Sequence, residues 1–209
     1  MALTRVICVK AKKTNKMSGQ GSVRQLSKVP SRIMPVLQGE FRISSDPSDV
    51  LVTVLGSCVA TCLWDDVAGV GGMNHFLLAG AEEPRDGNLK YGVNSMELLI
   101  NGLLRAGADR DRLKGKLFGG AKMISSSRQI GQENAEFACW YLENETIPLI
   151  GHCLGGDKGR KVRFAPVTGD AQRMFLGDPK EIDNRLPRKP KAKQPAPQTE
   201  TVASSVTLF

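Results

Sequence analysis

The chain has 209 residues, 41% of them hydrophobic, which is enough for one domain with a real core and short for two. Its formal charge of +8 suggests nucleic acid, but the charge is segregated: residues 1–32 carry eight Lys or Arg and no acid, residues 185–209 carry five and one acid (Glu200), and residues 33–184 hold 16 basic against 20 acidic side chains. A mildly acidic body with basic ends argues against a nucleic-acid-binding domain; the ends read as solubilising extensions whose attraction for anionic partners would weaken with salt.

Residues 1–34 read as a basic extension without fixed structure, because their Lys, Ser, Gly and Gln carry little apolar periodicity. No apolar stretch of the secretory kind opens the chain, and no run reaches the ~18–20 apolar residues that cross a bilayer. The five cysteines, Cys8, Cys58, Cys62, Cys139 and Cys153, are odd in number and irregular in spacing, a poor disulfide framework. A reducing cytoplasm is the expected setting, without membrane insertion.

Order is expected from about Val36. Residues 50–64 are apolar and β-branched and read as two buried strands, or one bent strand, broken at Gly56-Ser57. Asp65-Asp66 turns the chain, and residues 70–78 form the next strand with His75 near its end. Residues 79–92 are polar with Gly and Pro, a loop. Met96, Leu99 and Leu103, with Leu98 and Gly102, recur at helical spacing and predict a helix over 93–106, capped at Asn94 and stopped at Gly107. Residues 116–118 read as a short strand running into Gly119-Gly120. A second helix is expected over 133–143, with Ala135, Cys139 and Leu142 on one face. Residues 147–153 and 162–164 read as strands around a glycine-rich loop at 155–159, and a strand near 172–176 would close the sheet. From 185 onward Pro, Lys, Ala and Gln predict an extended, disordered tail.

The chemistry centres on Cys58 and His75, seventeen residues apart. Cys58 follows Gly56-Ser57 at the end of an apolar run, where a strand gives way to a turn. With only two histidines in the chain, few bases can serve it. A thiol beside an imidazole is equipped for attack on a carbonyl, by way of a thiolate–imidazolium pair. Backbone N–H groups of Gly56, Ser57 and Cys58 are candidates to receive the oxyanion.

The flanks of both residues are specific. Leu55-Gly56-Ser57-Cys58-Val59-Ala60, followed by Gly72-Met73-Asn74-His75-Phe76-Leu77-Leu78, resembles the CheD family, the chemoreceptor glutamine deamidases of bacterial chemotaxis. Gly39-Glu40-Phe41-Arg42-Ile43-Ser44, Tyr91-Gly92, Phe118-Gly119-Gly120-Ala121-Lys122-Met123, Ile130-Gly131 with Asn134, and Gly155-Gly156 with Gly159-Arg160-Lys161-Val162 extend the likeness, in order, over roughly residues 35–177.

The resemblance implies a layered α/β sandwich related to the catalytic domains of deamidating toxins. A single domain over 35–184 would stand between disordered basic tails at 1–34 and 185–209. It implies conversion of glutamines on methyl-accepting chemoreceptors to glutamate, without cofactor or metal, and release of methyl esters as well. Cys58 maps onto the nucleophile and His75 onto its base. Thr53 maps onto a threonine that supports the histidine, with Val52 the competing position, since one residue reverses which face of a strand a side chain uses. A CheC-type phosphatase is an implied partner. A non-catalytic adaptor that binds receptors or CheC is the alternative. Two departures stand out: Gln38 where proline is usual, and Glu133 where a basic residue is. Neither is expected to touch the thiol–imidazole pair.

Blander readings apply elsewhere. Cys62 shares a strand face with Cys58 but reads as core filler, and His152-Cys153 reads as structural. A zinc set of Cys58, Cys62, His75 and His152 matches no standard spacing. Gly119-Gly120 and Gly155-Gly156 lack the Lys-Ser/Thr of a phosphate-binding loop.

Overall fold

The apolar run at 50–64 divides at Gly56-Ser57 into two strands that belong to different sheets. The computed structural model describes residues 32–78, 85–123 and 128–177. One sheet has four strands, in the order β1 (Arg32–Pro35), β3 (Asp49–Leu55), β8 (Arg160–Phe164), β9 (Ala171–Phe175). The other has five, in the order β2 (Phe41–Ser44), β5 (Val70–Asn74), β4 (Val59–Asp65), β6 (Lys114–Gly119), β7 (Leu149–Leu154).

The sheets pack face to face. Leu51, Leu55, Val162 and Phe164 from the first meet Ala60, Cys62, Trp64, Met73 and Phe118 from the second. Two helices, α1 (Arg85–Arg105) and α2 (Arg128–Asn144), cover the other face of the five-stranded sheet. There Val59, Leu63 and Phe76 are buried under Met96, Leu99, Ile100 and Leu103 of α1 and Phe137, Ala138, Tyr141 and Leu142 of α2. The result is the expected layered α/β domain, in the order helices, sheet, sheet. Every residue of β4 is buried, because both of its faces are covered. That is why its sequence reads as a nearly continuous apolar run, with Thr61 and Asp65 the exceptions, rather than an alternation.

Several boundaries differ from expectation. α1 begins at Arg85, within the stretch expected as loop, so Asn94 lies inside the helix and not at its cap. The buried stripe of Met96, Leu99, Ile100 and Leu103 nucleates a helix that extends back through poorly helix-forming residues. Leu98 is outside that stripe and exposed. The C-terminus is as expected: Gly107 takes φ +100°, and the N–H groups of Gly107 and Ala108 close on Leu104 O and Leu103 O at 3.1 and 3.0 Å. α2 starts five residues before Glu133, and Ala135 and Cys139 flank its buried face, half-buried. The described residues open with β1, ahead of Val36. β1 runs parallel to β3, and the Arg32 guanidinium grips the Asp49 carboxylate with bonds of 2.6 and 2.8 Å.

The tails expected at 1–34 and 185–209 lie outside the described residues, apart from 32–34, and so do residues 79–84. Among the described residues no helix is long and apolar enough to cross a membrane.

Gly119 ends β6 with φ +116°, and a Cβ there would overlap the carbonyl oxygen of Cys58. We expect Gly119→Ala to destabilise the fold by about 3 kcal/mol, from the left-handed backbone penalty and the overlap together. A lowered midpoint in chemical denaturation would show it; an unshifted midpoint would mean the 56–58 loop yields freely.

Candidate active site

The register of β4 against β5 brings the two candidate residues together. Cys62 pairs with Met73, and the same antiparallel register continues to an isolated bridge where Val59 and Phe76 exchange both N–H···O bonds, at 3.0 and 2.9 Å. His75 therefore stands opposite Ala60, and Cys58 opposite Leu77. Ala60, Cys62 and Met73 face the gap between the sheets, so Cys58 and His75 face it as well. They are diagonal neighbours on that face, about 7–8 Å apart between backbones. Cys58 is half-buried at the edge of this inter-sheet core, and His75 is buried.

Thr53 enters from the opposite sheet. It pairs with Val162 and shares the inward face of β3 with Leu51 and Leu55. Its Oγ1 lies 2.9 Å from His75 Nδ1 and donates to the carbonyl of Val36 at 2.8 Å. A hydroxyl has one proton. With that proton on Val36 O, Nδ1 must carry the hydrogen of the 2.9 Å contact, and the Nε2 lone pair is left exposed to a proton donor. His75 Nε2 is buried and has no hydrogen-bond partner among the described residues. Val52 points to the outer face, between Pro35 and Arg163, and takes no part.

The loop carrying the thiol is fixed through its carbonyls. Gly56 O accepts from Ala121 N (2.8 Å), Ser57 O from Asn134 Nδ2 (3.0 Å) and Cys58 O from Gly120 N (2.8 Å). Asn134, fully buried on α2, also accepts from Leu78 N at 2.8 Å, so one side chain ties the cysteine loop to the segment after His75. Sequence reasoning had only its place in the family pattern to mark it.

Gln38 departs from expectation. It touches the thiol: Cys58 Sγ donates to Gln38 Oε1 at 3.5 Å. Gln38 sits in a tight turn over the site, where Glu40 N bonds Leu37 O (2.9 Å), Gly39 N bonds His75 O (2.7 Å) and His75 N bonds Glu40 O (3.0 Å). Glu133 is exposed on α2.

Burial disfavours the charged form of both groups. Burial pushes the Cys58 thiol up to about 11, against a smaller opposing pull from its own backbone N–H. Burial likewise pushes His75 down to about 4, outweighing the Val36 carbonyl and Glu40. Both groups are neutral at rest near pH 7, since the half-dry gap penalises either charge.

The remaining candidates lie apart. Cys62 is wholly buried, and burial pushes its thiol far up. His152 is exposed on β7, with β4 and β6 between it and β5. Cys153 meets Arg160 instead, whose guanidinium bonds Cys153 O, Gly155 O and Cys153 Sγ (3.1 Å) and so ties down the 155–159 loop. Gly155 N in turn bonds Gly119 O at 2.9 Å. Both glycine pairs thus serve the backbone around the cysteine loop.

Residues 77–174 match the family described as CheD chemotactic sensory transduction. A Rhizobium leguminosarum bv. trifolii protein named probable chemoreceptor glutamine deamidase CheD is 56% identical over 149 residues, covering 70% of this chain and 81% of that one. A protein of the same name from Agrobacterium fabrum is 48% identical over 175 residues, covering 83% and 94%. Among solved structures, a hypothetical protein YfiH from Bacillus licheniformis is similar at a TM-score of 0.37 and 13% identity, over 61% of each chain.

Proposed function

Since the chain belongs to the CheD family, we propose that it is a chemoreceptor glutamine deamidase, with Cys58 as nucleophile and His75 as general base. The observation that carries this reading is the Thr53–His75 bond, which orients the imidazole and leaves Nε2 basic on the face that Cys58 shares.

Because thiol and imidazole are both neutral at rest, the proton moves as the attack proceeds. His75 Nε2 takes the Cys58 proton while the sulphur adds to the carboxamide carbon of a receptor glutamine. The carbonyl oxygen becomes an oxyanion, held by N–H groups of the Gly56-Ser57-Cys58 loop, whose carbonyls are already tied on the other side. The imidazolium returns its proton to the nitrogen, and ammonia leaves. A water, deprotonated by His75, adds to the thioester, and collapse releases glutamate and the thiol. The imidazolium is stabilised by the Thr53 hydroxyl and the Val36 carbonyl, the latter 3.4 Å from Nδ1. The substrates are the cytoplasmic helices of methyl-accepting chemoreceptors, and the enzyme works in the cytoplasm, where thiols stay reduced.

Incubating the full chain with a receptor cytoplasmic fragment tests this. Peptide mass spectrometry should find specific glutamines converted to glutamate, with matching ammonia release. A fragment unchanged after prolonged incubation with folded enzyme would sink the reading.

A further inference from the structure

We infer that Gln38 caps the nucleophile of the free enzyme, its side-chain carboxamide taking on the Cys58 sulphur the position that a substrate carboxamide must take. The inference rests on Cys58 being the nucleophile of a glutamine deamidase.

The cap is built into the fold. The turn at 37–40 has its i→i+3 bond from Glu40 N to Leu37 O, and Gly39 at its third position takes φ +83°. That conformation at the third residue marks a type II turn, in which proline is favoured at the second position, the one Gln38 fills. The turn has no need of a glutamine there. Its backbone is fixed to the catalytic pair on both sides. Gly39 N and Glu40 O bond the two ends of the His75 peptide, while Val36, two residues before Gln38, bonds Val52 O through its N–H (2.9 Å) and receives the Thr53 hydroxyl. Gln38 is exposed, yet its Oε1 rests 3.5 Å from a sulphur at the edge of the core.

Two consequences follow from proton counting. A thiol donates one hydrogen, and at rest it goes to Gln38 Oε1 while His75 Nε2 stands without a partner. Catalysis needs that hydrogen on Nε2, so the bond to Gln38 must break first. The group that holds the proton away is also chemically the substrate's own. A receptor glutamine must displace Gln38 to reach the sulphur, and the displacement frees the thiol proton for His75. Reactivity is thus coupled to occupancy by a carboxamide.

The test replaces Gln38 with side chains of nearly equal size and different chemistry, and reads alkylation of Cys58 by iodoacetamide at fixed pH, by peptide mass. Gln38→Met keeps the bulk and loses the acceptor. It should alkylate about five times faster, the open fraction gained when a hydrogen bond of ordinary strength is removed. Gln38→Glu keeps the acceptor and adds negative charge, so it should alkylate more slowly than the parent. Gln38→Pro suits the turn and removes the acceptor altogether, so it should again be faster. The ionisable groups of the surrounding elements, Glu40, His75, Lys122 and Arg160, are the same in every variant. Toward a receptor fragment, Gln38→Met should show a lower KM with kcat unchanged. Equal alkylation rates in the Met variant and the parent would overturn the cap, because a mere steric plug predicts equality for side chains of one size. If no variant and no parent deamidates the fragment while the alkylation order holds, the receptor reading falls and the cap stands.

Discussion

Cys58→Ala is expected to abolish ammonia release from receptor glutamines, by at least about a thousandfold in kcat, while leaving the fold and receptor binding largely intact. The side chain is small and lies at the margin of the inter-sheet core, and the backbone bonds that fix its loop do not involve the sulphur. Loss of the nucleophile therefore removes the chemistry without removing the site. Ammonia release and co-sedimentation with receptor fragments, measured on one preparation, separate the two effects. Deamidation at the parent rate in the alanine variant would exclude covalent catalysis by this residue. Binding and activity lost together would mean that the substitution disturbs the loop itself and not the chemistry alone.

His75→Asn should lower kcat by about 10³-fold, the usual range for losing a general acid–base. Thr53→Val, which keeps the shape and removes the hydroxyl, should cost about tenfold in kcat and leave KM unchanged, because it frees the ring without removing it. The pH profile carries the sharper signature. His75 must be neutral to accept the thiol proton, and burial holds its folded value near 4. The kcat/KM of the parent should therefore persist through the mildly acidic range and fall only as pH approaches that value. A midpoint near the ordinary imidazole value would contradict a dry, proton-accepting His75. The same burial affects folding. Because the folded value is depressed, the unfolded chain binds the extra proton between about pH 6.5 and 4, and stability falls by about 3 kcal/mol as pH drops through that window. Circular dichroism over the same range tells inactivation of a folded enzyme from acid unfolding.

The parts of this protein legible in its sequence are those with a local signal. The β-branched run broken at Gly56-Ser57 marks β3 and β4, since breaks and periods act over a few residues. The stop at Gly107 is local in the same sense. β1 is not local: four residues that include a proline become a strand only by lying parallel to β3, seventeen positions on. The start of α1 was hidden because Gly87, Asn88 and Gly92 look like loop, while the burial that stabilises the helix lies further along it. At the site, the residues themselves point to Cys58 and His75 and the family likeness adds Thr53, with Val52 competing, but neither composition nor spacing could show that Thr53 reaches His75 from another sheet. The reach of Gln38 to the thiol is not legible for the same kind of reason. Its contact with Cys58 spans twenty residues and depends on how a turn folds back over a strand end.

The link from β3 to β4 is only three residues long, yet it passes from one sheet to the other with the thiol on it. Thr53 travels with the first layer and His75 with the second. Competence to react is therefore a property of the seam rather than of either layer. A slippage of one layer against its neighbour by little more than a bond length would part hydroxyl from imidazole while leaving both hydrogen-bonded ladders whole, so alignment of the sheets is itself a condition for turnover.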